Sequence, residues 1–229
     1  STRKESSAAS DVYKRQDPFR SIHPTLLASN GAVSVDATTG EVLHDIFMSP
    51  TRVAEIIADV REALPEALFC TEEATQWFAD EGFDRWQIGG PPDGEGPIEN
   101  YLGADRRIVK LLVRTFNFPS DKLFDVVNPI VGDRGTATFS ATMTNGLVEI
   151  AAPGVSKGMA LAQVCQDLGI DPSDAAAFGD MPNDLTMLEL VGHPYVVSDA
   201  HPILRDRGFP IIGNHDESAV GRQIRILLG

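Results

Sequence analysis

The chain has 229 residues, a formal net charge of −14 at pH 7 and 42% hydrophobic residues, with a mean hydropathy of −0.08. This length allows one large domain or two smaller ones, and the apolar content is sufficient for a packed core. The acidic charge argues against nucleic-acid binding, because no basic stripe is present to release counterions. No apolar run is long enough to span a bilayer and no signal peptide is visible, so we expect a cytoplasmic protein without a membrane partner.

Residues 1–16 show neither helical nor strand periodicity. Residues 6–16, SSAASDVYKRQ, resemble the in-frame translation of a transposon adapter used to prepare sequencing libraries. We therefore exclude residues 1–16 from the fold as a non-native tail and expect the protein's own sequence to begin near Asp17. A natural disordered tail is the alternative.

Residues 17–35 contain one predicted core strand, residues 26–33, and the region 36–151 then mixes short strands with two helices. Ser49-Pro50 predicts the start of a helix that extends to Leu64. The other elements predicted here are strands at 41–47, 67–71, 107–114, 136–142 and 147–152 and a helix at 119–130. The last two strands are expected to form a hairpin across Asn145-Gly146. This region is predicted to be an α+β domain inserted into the core.

Some basic residues and both cysteines of the chain are expected to have structural roles and no part in a site. Arg107, Lys110 and Arg114 alternate on one strand face and are expected to be solvated, with contact to a substrate as the alternative. Cys70 and Cys165 are expected to be buried free thiols rather than a disulfide or a metal pair.

Residues 152–229 alternate strands and helices, which predicts a parallel sheet covered by helices. A helix at 156–168 opens with Ser156-Lys157 and ends at Gly169. The strands are predicted at 175–178, 195–198 and 209–212, and a last helix at 218–228.

An acidic turn follows the strand at 175–178. Asp180, Asn183 and Asp184 lie where ligands bind in open α/β sheets, at the carboxyl end of a strand. Closely spaced carboxylates suit Mg²⁺, which binds through one or two of them together with substrate phosphate. The structural alternatives are a turn role for Asp180 and Asn183 and a helix N-cap for Asp184. Asp199, after the next strand, is a further candidate for a residue of this site.

Lys157 is expected to reach the same site. The helix that it opens begins at the carboxyl edge of the sheet, and the next strand ends at that edge. The helix dipole disfavours a cation in the first turn, so a solvated lysine is the less favoured interpretation. A cation beside the acidic turn would orient the carboxylates and neutralise a phosphoryl oxygen.

The segments VSKG at 155–158 and GDMPND at 179–184 resemble two signature motifs of the haloacid dehalogenase-like (HAD) phosphatases, in particular the Cof-type branch. Residues 29–32, SNGA, are similar to that branch's Ser-Asn-Gly-Ala segment. The resemblance implies an α/β fold: a Rossmann-like core with a parallel sheet, residues 17–35 and 152–229, and an inserted α+β cap, residues 36–151. It also implies a catalytic role for Lys157, metal ligation by Asp180 and Asp184, and phosphate binding by Asn183 and Asn30.

The sequence departs from the family in one respect. The family's Asp-x-Asp motif, whose first Asp is the nucleophile and whose second is the general acid/base, is not found among the 229 residues. We therefore expect an N-terminally truncated fragment, with a core sheet incomplete at its N-terminal end and without phosphatase activity of its own.

For the intact parent, the resemblance implies a Mg²⁺-dependent phosphatase acting on a small phosphomonoester, such as a sugar phosphate, through an aspartyl-phosphate. Two alternatives stay open at this point. A phosphomutase or phosphotransferase would use the same core with a sugar as acceptor. A non-catalytic receiver-like phospho-acceptor domain would also use an acidic pocket and a Lys, but there the Lys follows the acidic residues in the chain.

Overall fold

The computed structural model describes residues 24–83 and 91–229. The chain divides into two compact units, Ser1–Val155 and Ser156–Gly229. The predicted tail, residues 1–16, lies outside the described residues. In the described ranges, no helix has both the length and the apolar character needed to cross a membrane.

The first unit has the α+β character expected of the region 36–151. Its described strands are β1 (Thr25–Ala28), β2 (Val33–Asp36), β3 (Val42–Asp45), β4 (Leu68–Glu72), β5 (Trp77–Ala79), β6 (Gly94–Glu95), β7 (Lys110–Arg114), β8 (Thr136–Thr138) and β9 (Leu147–Ala151). Its described helices are α1 (Pro50–Ala63) and α2 (Ser120–Val131). The side chain of Ser49 caps α1 by accepting the backbone N–H of Arg52 at 3.3 Å, as the Ser-Pro pair predicts.

Residues 26–33 do not form the single strand predicted for them. They include most of β1, a turn and the start of β2, and β1 pairs antiparallel with β2. In the turn, Ser29, Asn30 and Gly31 have φ values of 49°, 57° and 97°, so successive left-handed residues reverse the chain. Because β3 pairs with β2, this segment builds its own three-stranded antiparallel sheet. The prediction that it adds a strand to a sheet with residues 175–178 is therefore wrong.

The larger sheet of the first unit has six strands in the order β6-β5-β4-β7-β9-β8. Its central strands are antiparallel, and the register places Phe69, Val113 and Val148 side by side on one face. Helix α2 packs against β8 and β9 and against α1. Both helices bury apolar residues at helical spacing, which are Val53, Ile56, Ile57 and Val60 in α1 and Leu123, Val127 and Val131 in α2.

Side chains from loops and neighbouring strands bury most of the other face of this sheet. Its apolar cluster consists of Cys70, Trp77, Ala79, Phe83, Leu112 and Leu147, with Leu68 and Met143 packed against it. This burial corrects the expectation of solvated basic residues on β7. The Lys110 side chain is 12% exposed and Arg114 is fully buried. Arg107 is exposed as expected and forms an ion pair with Asp45 at 2.5 Å.

The predicted hairpin between the last two strands of the first unit is partly different in the structure. β8 and β9 do pair antiparallel. However, residues 139–146 connect them, so Asn145-Gly146 is not a two-residue hairpin turn. The Gly146 N–H donates to the Phe118 carbonyl at 2.9 Å, and a Cβ at Gly146 would lie 2.7 Å from that oxygen. This glycine is therefore needed for close backbone approach, and not for the turn.

The second unit contains a parallel sheet of β10 (Ala176–Gly179), β11 (His193–Val197) and β12 (Ile211–Ile212) in that order. Its helices are α3 (Lys157–Leu168), α4 (Leu185–Leu190), α5 (Pro202–Arg205) and α6 (Ala219–Leu228). The core consists of Ala177, Leu188, Val191, Val196, Val197, Ala200 and Leu204. Because the strands are parallel, the loops that follow them begin at one edge of the sheet. Those loops carry the candidate site.

Both cysteines are free and buried, as predicted. Cys70 lies in β4 and Cys165 in α3. Burial raises the pKa of the Cys70 thiol well above its ordinary value, and this makes the thiol unreactive at neutral pH.

Candidate active site

A close approach between the end of β10 and Asp184 builds the site. Gly179, the last residue of the strand, is buried. A Cβ at this position would lie 2.7 Å from the Cβ of Asp184 and 3.0 Å from Cδ1 of Leu188. Only glycine therefore lets the turn at Pro182–Asp184 fold back onto the strand end. This explains in physical terms why the acidic motif opens with Gly-Asp.

Asp184 is the buried centre of the site, with only 3% of its surface exposed. Its Oδ2 accepts the backbone N–H groups of Asp180 at 2.9 Å and Met181 at 3.0 Å. Its Oδ1 accepts a hydrogen bond from Nζ of Lys157 at 2.5 Å. Both carboxylate oxygens are thus engaged by hydrogen-bond donors, one of them charged. The alternative role, a helix N-cap, is not observed. The side chain makes no capping hydrogen bond to α4, because its hydrogen bonds reach back to the residues before it.

Lys157 is the first residue of α3, and its position is fixed by the residues on either side. Ser156 caps the helix by accepting the N–H of Met159 at 3.1 Å. The N–H of Gly158 donates to Oγ1 of Thr186 at 3.0 Å, and a Cβ at Gly158 would lie 2.5 Å from the Thr186 carbonyl oxygen. The start of α3 is therefore tightly docked on α4. The Lys157 side chain remains 33% exposed.

Asp180 differs from Asp184 in its surroundings. By surface area it is exposed, yet nearby protein atoms desolvate its carboxyl in part. This desolvation, followed by the charge and hydrogen bonding of Asp184, raises the pKa of Asp180, and the Lys157 charge opposes the shift. An accessible carboxylate close to a second carboxylate attracts a cation, because a cation removes their repulsion.

These residues fit a hard divalent cation, although they do not form a complete cage. In residues 24–83 and 91–229, no group of three or more His, Cys, Asp or Glu side chains is placed to hold a metal ion. Mg²⁺ does not require such a group, since it is commonly bound by one or two carboxylates with water and substrate phosphate completing its shell. Asp180 can offer a carboxylate oxygen, whereas both oxygens of Asp184 already accept hydrogen bonds.

The two predicted phosphate-binding residues lie in different units. Asn183 is 8% exposed and lies in the same turn as Asp184. Asn30 lies in the first unit, where its Nδ2 donates to Oε2 of Glu149 at 3.0 Å. The structure therefore brings Lys157, Asp180, Asn183 and Asp184 together within the second unit. Their catalytic, metal-binding and phosphate-binding roles, and that of Asn30, stay predictions.

Sequence reasoning did not identify the charged network to which Asn30 belongs. Nζ of Lys110 lies 2.8 Å from Oε2 of Glu149 and 3.5 Å from Oε2 of Glu72. Ser29 donates to Glu72 at 3.1 Å. We call Glu72, Lys110 and Glu149 the charged triad. One signal for it was present in the sequence, since Glu149 interrupts the otherwise apolar strand LVEIA.

Comparison with known protein families identifies the class of protein. The family model described as haloacid dehalogenase-like hydrolase matches residues 6–224. The chain therefore belongs to the haloacid dehalogenase-like hydrolases, and the predicted resemblance is confirmed.

Individual relatives within the family are phosphatases. The HMP-PP phosphatase of Escherichia coli (strain 55989 / EAEC) is 36% identical over 220 residues, which is 89% of this chain and 74% of that protein. The 5-amino-6-(5-phospho-D-ribitylamino)uracil phosphatase YwtE of Bacillus subtilis (strain 168) is 31% identical over 131 residues, which is 57% of this chain and 44% of that protein. The chain therefore spans less than half of the Bacillus protein.

Solved structures share the fold at lower identity. A protein of Streptococcus mutans UA159 has a TM-score of 0.78 at 20% identity, covering 95% of this chain and 82% of that one. A sugar phosphatase of HAD subclass IIB has a TM-score of 0.75 at 14% identity, covering 93% of this chain and 79% of that one. These likenesses confirm the predicted fold class, an α/β Rossmann-like core with a cap.

Proposed function

We propose that the loops of the second unit form the metal-binding and phosphate-binding side of a phosphatase site that acts on small phosphomonoesters. The observation that carries this proposal is the Asp184 carboxylate, which holds the Lys157 ammonium at 2.5 Å and the turn of Asp180 through two backbone amides. It fixes one cation and one accessible carboxylate at the same strand end. Phosphoryl transfer needs such a pairing of positive charge with a metal-binding carboxylate.

The proposed metal is Mg²⁺, with Asp180 as its direct protein ligand. Asp184 orients the turn and Lys157, and adds negative charge close to the metal. Bound Mg²⁺ would supply positive charge to the phosphoryl oxygens. Lys157, whose side chain is one third exposed, is proposed to contact a phosphoryl oxygen directly and to stabilise charge that develops there. Asn183 is proposed to donate its amide to the same phosphoryl group.

The nucleophile is not among the residues assigned here. In the family it is an Asp that forms an aspartyl-phosphate, in an Asp-x-Asp motif that the 229 residues do not contain. We therefore propose that a protein of this sequence alone has essentially no phosphatase turnover. Loss of a nucleophile from a covalent mechanism costs roughly six orders of magnitude in kcat.

The proposed substrate is a small phosphorylated metabolite. The support comes from relatives that act on HMP-PP and on a phosphoribitylamino-uracil, and from a structural neighbour that is a sugar phosphatase. The receiver-like alternative is disfavoured, because the family match covers both units of the chain. A phosphotransferase would share the site and differ in the acceptor.

The test compares two proteins. One is the full chain, and the other carries the first two strand–helix units of a HAD-like relative in front of residue 17. Phosphate release from an aryl phosphate and from HMP-PP is measured with and without Mg²⁺. We expect Mg²⁺-dependent turnover by the fusion only. In the fusion, Asp180→Asn should abolish this turnover, whereas the matched control Asp206→Asn, at the exposed residue that follows α5, should keep it. Equal turnover by both proteins would show that the nucleophile lies within this chain and would overturn the assignment. Phosphorylation of an added acceptor sugar would favour the phosphotransferase.

A further inference from the structure

Two loops at the carboxyl edge of the parallel sheet are joined by a charged pair that the proposed chemistry does not use. Asp199 follows β11, and His215 lies in the short 3₁₀ turn His215–Glu217 that follows β12. The backbone N–H of His215 donates to Oδ1 of Asp199 at 3.3 Å. Nδ1 of the same histidine is in hydrogen-bond contact with Oδ2 of Asp199. The imidazole thus holds one loop to the other.

A second link connects this pair to the acidic turn. The backbone N–H of His201, two residues after Asp199, donates to the carbonyl oxygen of Asp180 at 2.8 Å. The N–H of Ser198 donates to the Gly213 carbonyl at 3.4 Å, which adds a weaker connection between the same two outer loops. The backbone at Asp180 is therefore held by the loop after β11, and that loop is held by His215.

The charges around His215 favour its protonated form. Its hydrogen bond to Asp199 and the charges of Asp199, Asp216 and Asp180 raise the pKa of the imidazole, and slight desolvation opposes this. Asp216 contributes from the same turn, with its Oδ1 3.0 Å from Nε2 of His215. Burial raises the pKa of the Asp199 carboxyl, but the hydrogen bonds from His215 outweigh this effect, so the pKa is lowered overall. Each member of the pair therefore stabilises the charge of the other.

We propose that Asp199 and His215 are positioning residues that fix the backbone of Asp180 through the His201 amide. The importance of Asp180 for metal binding rests on the function proposed above, but the positioning itself does not. His215 does not touch the reacting groups in this assignment, since its ring nitrogens face Asp199 and Asp216.

The proposal predicts a pH dependence with a defined sign. Because the pKa of His215 is raised in the folded chain, its contribution is complete below pH 6.5, the ordinary value, and is lost as pH rises through the higher folded value. A neutral imidazole keeps one N–H and cannot donate to Asp199 and Asp216 together. The loop after β11 should therefore hold Asp180 less firmly in mildly alkaline solution.

The test is amide hydrogen exchange of the full chain, followed by NMR. We expect the His201 amide to exchange about twofold to fivefold faster in His215→Ala than in the original chain at pH 6, which is the range for an exposed ion pair. His215→Asn should restore part of the protection without the pH-dependent step. The Val196 amide, bonded to Pro210 at 3.0 Å within the sheet, serves as the internal reference. His193→Ala, at the exposed start of β11, is the control variant.

Each outcome decides the question. Selective acceleration at His201, with a pH step that His215→Ala lacks, supports the proposal. Unchanged exchange at His201 overturns it, because the pair would then not stabilise the loop after β11. Equal acceleration at His201 and Val196 also overturns it, because the pair would then stabilise the whole second unit and not this loop in particular. Mg²⁺ titration of the same samples separates the two proposals: absence of Mg²⁺ binding by the original chain refutes the metal site and leaves the exchange result intact.

Discussion

Replacing Lys110 by Met removes the only cation that the structure places within the charged triad. The side chains of Lys110, Glu149 and Glu72 are 12%, 6% and 17% exposed. Burial disfavours the charge of Lys110, but the charges of Glu149 and Glu72 outweigh this and raise the pKa of the ammonium. The substitution keeps the apolar stem and leaves two poorly solvated carboxylates without their cation.

The expected cost is large for a single substitution. Removing one partner of a buried ion pair destabilises a protein by about 3–5 kcal/mol, out of a total of roughly 5–15 kcal/mol for a domain. With a urea m-value of about 2 kcal/mol/M, the unfolding midpoint should fall by about 2 M. Adding Glu149→Gln to this variant should recover part of the loss, because the amide removes one charge and keeps an acceptor for Asn30.

The assay is urea unfolding at pH 7 followed by tryptophan fluorescence, since Trp77 lies in β5 of the first unit. Lys122→Met is the matched control. Lys122 lies 3.5 Å from Asp125 on α2, with both side chains 65% exposed, and such a pair contributes about 0–1 kcal/mol. If Lys110→Met costs no more than Lys122→Met, the triad is not the buried, mutually compensated network described here.

Two further predictions concern packing and acid stability. Gly179→Ala places a methyl group 2.7 Å from the Cβ of Asp184 and should destabilise the chain by about 1–3 kcal/mol, measured by thermal unfolding. The control Gly221→Ala, with open space around its Cβ in helix α6, should instead stabilise it by about 0.5–1 kcal/mol; equal effects would contradict the close approach. Burial alone would raise the pKa of Glu149, but Lys110 and hydrogen bonds from Ser140 and Asn30 lower it overall. The stability difference between the chain and Glu149→Gln should therefore be constant above pH 4.5 and vanish as pH falls through the lowered value, and a difference that persists at pH 2 would refute this.

The second unit was largely predictable because its signals are local. The helix predicted over residues 156–168 and ended by Gly169 is observed as α3, with Ser156 as its N-cap and Gly169 in a left-handed conformation at its end. The alternation of strand and helix fixed the parallel order, and parallel order places Lys157 and the acidic turn at one edge. The sequence did not show which donors each carboxylate oxygen of Asp184 binds. Its hydrogen bonds to Asp180 and Met181 depend on the backbone path of the turn.

The first unit was harder to predict because its decisive contacts are distant in sequence. The apolar residues on both sides of Ser29-Asn30-Gly31 suggested one strand, whereas three left-handed residues make a reversal there. Alternation on β7 suggested a solvated face, but Trp77 and Phe83 help to cover the sheet on that side. The bond from Asn30 to Glu149 joins residues 119 positions apart. Periodicity carries no information about such pairs.

The charges of the second unit explain how a protein with a net charge of −14 can accept phosphate in the proposed function. Lys157 and Asp184 compensate each other at 2.5 Å, so Asp180 is left with an uncompensated negative charge beside them. A phosphomonoester dianion would be repelled by that arrangement. A bound divalent cation turns the excess of one negative charge into an excess of one positive charge. Its charge also lowers the pKa of Asp180, against the effects of desolvation and of Asp184 that raise it. The acidic turn is therefore a poor phosphate site by itself and a favourable one once a cation is bound.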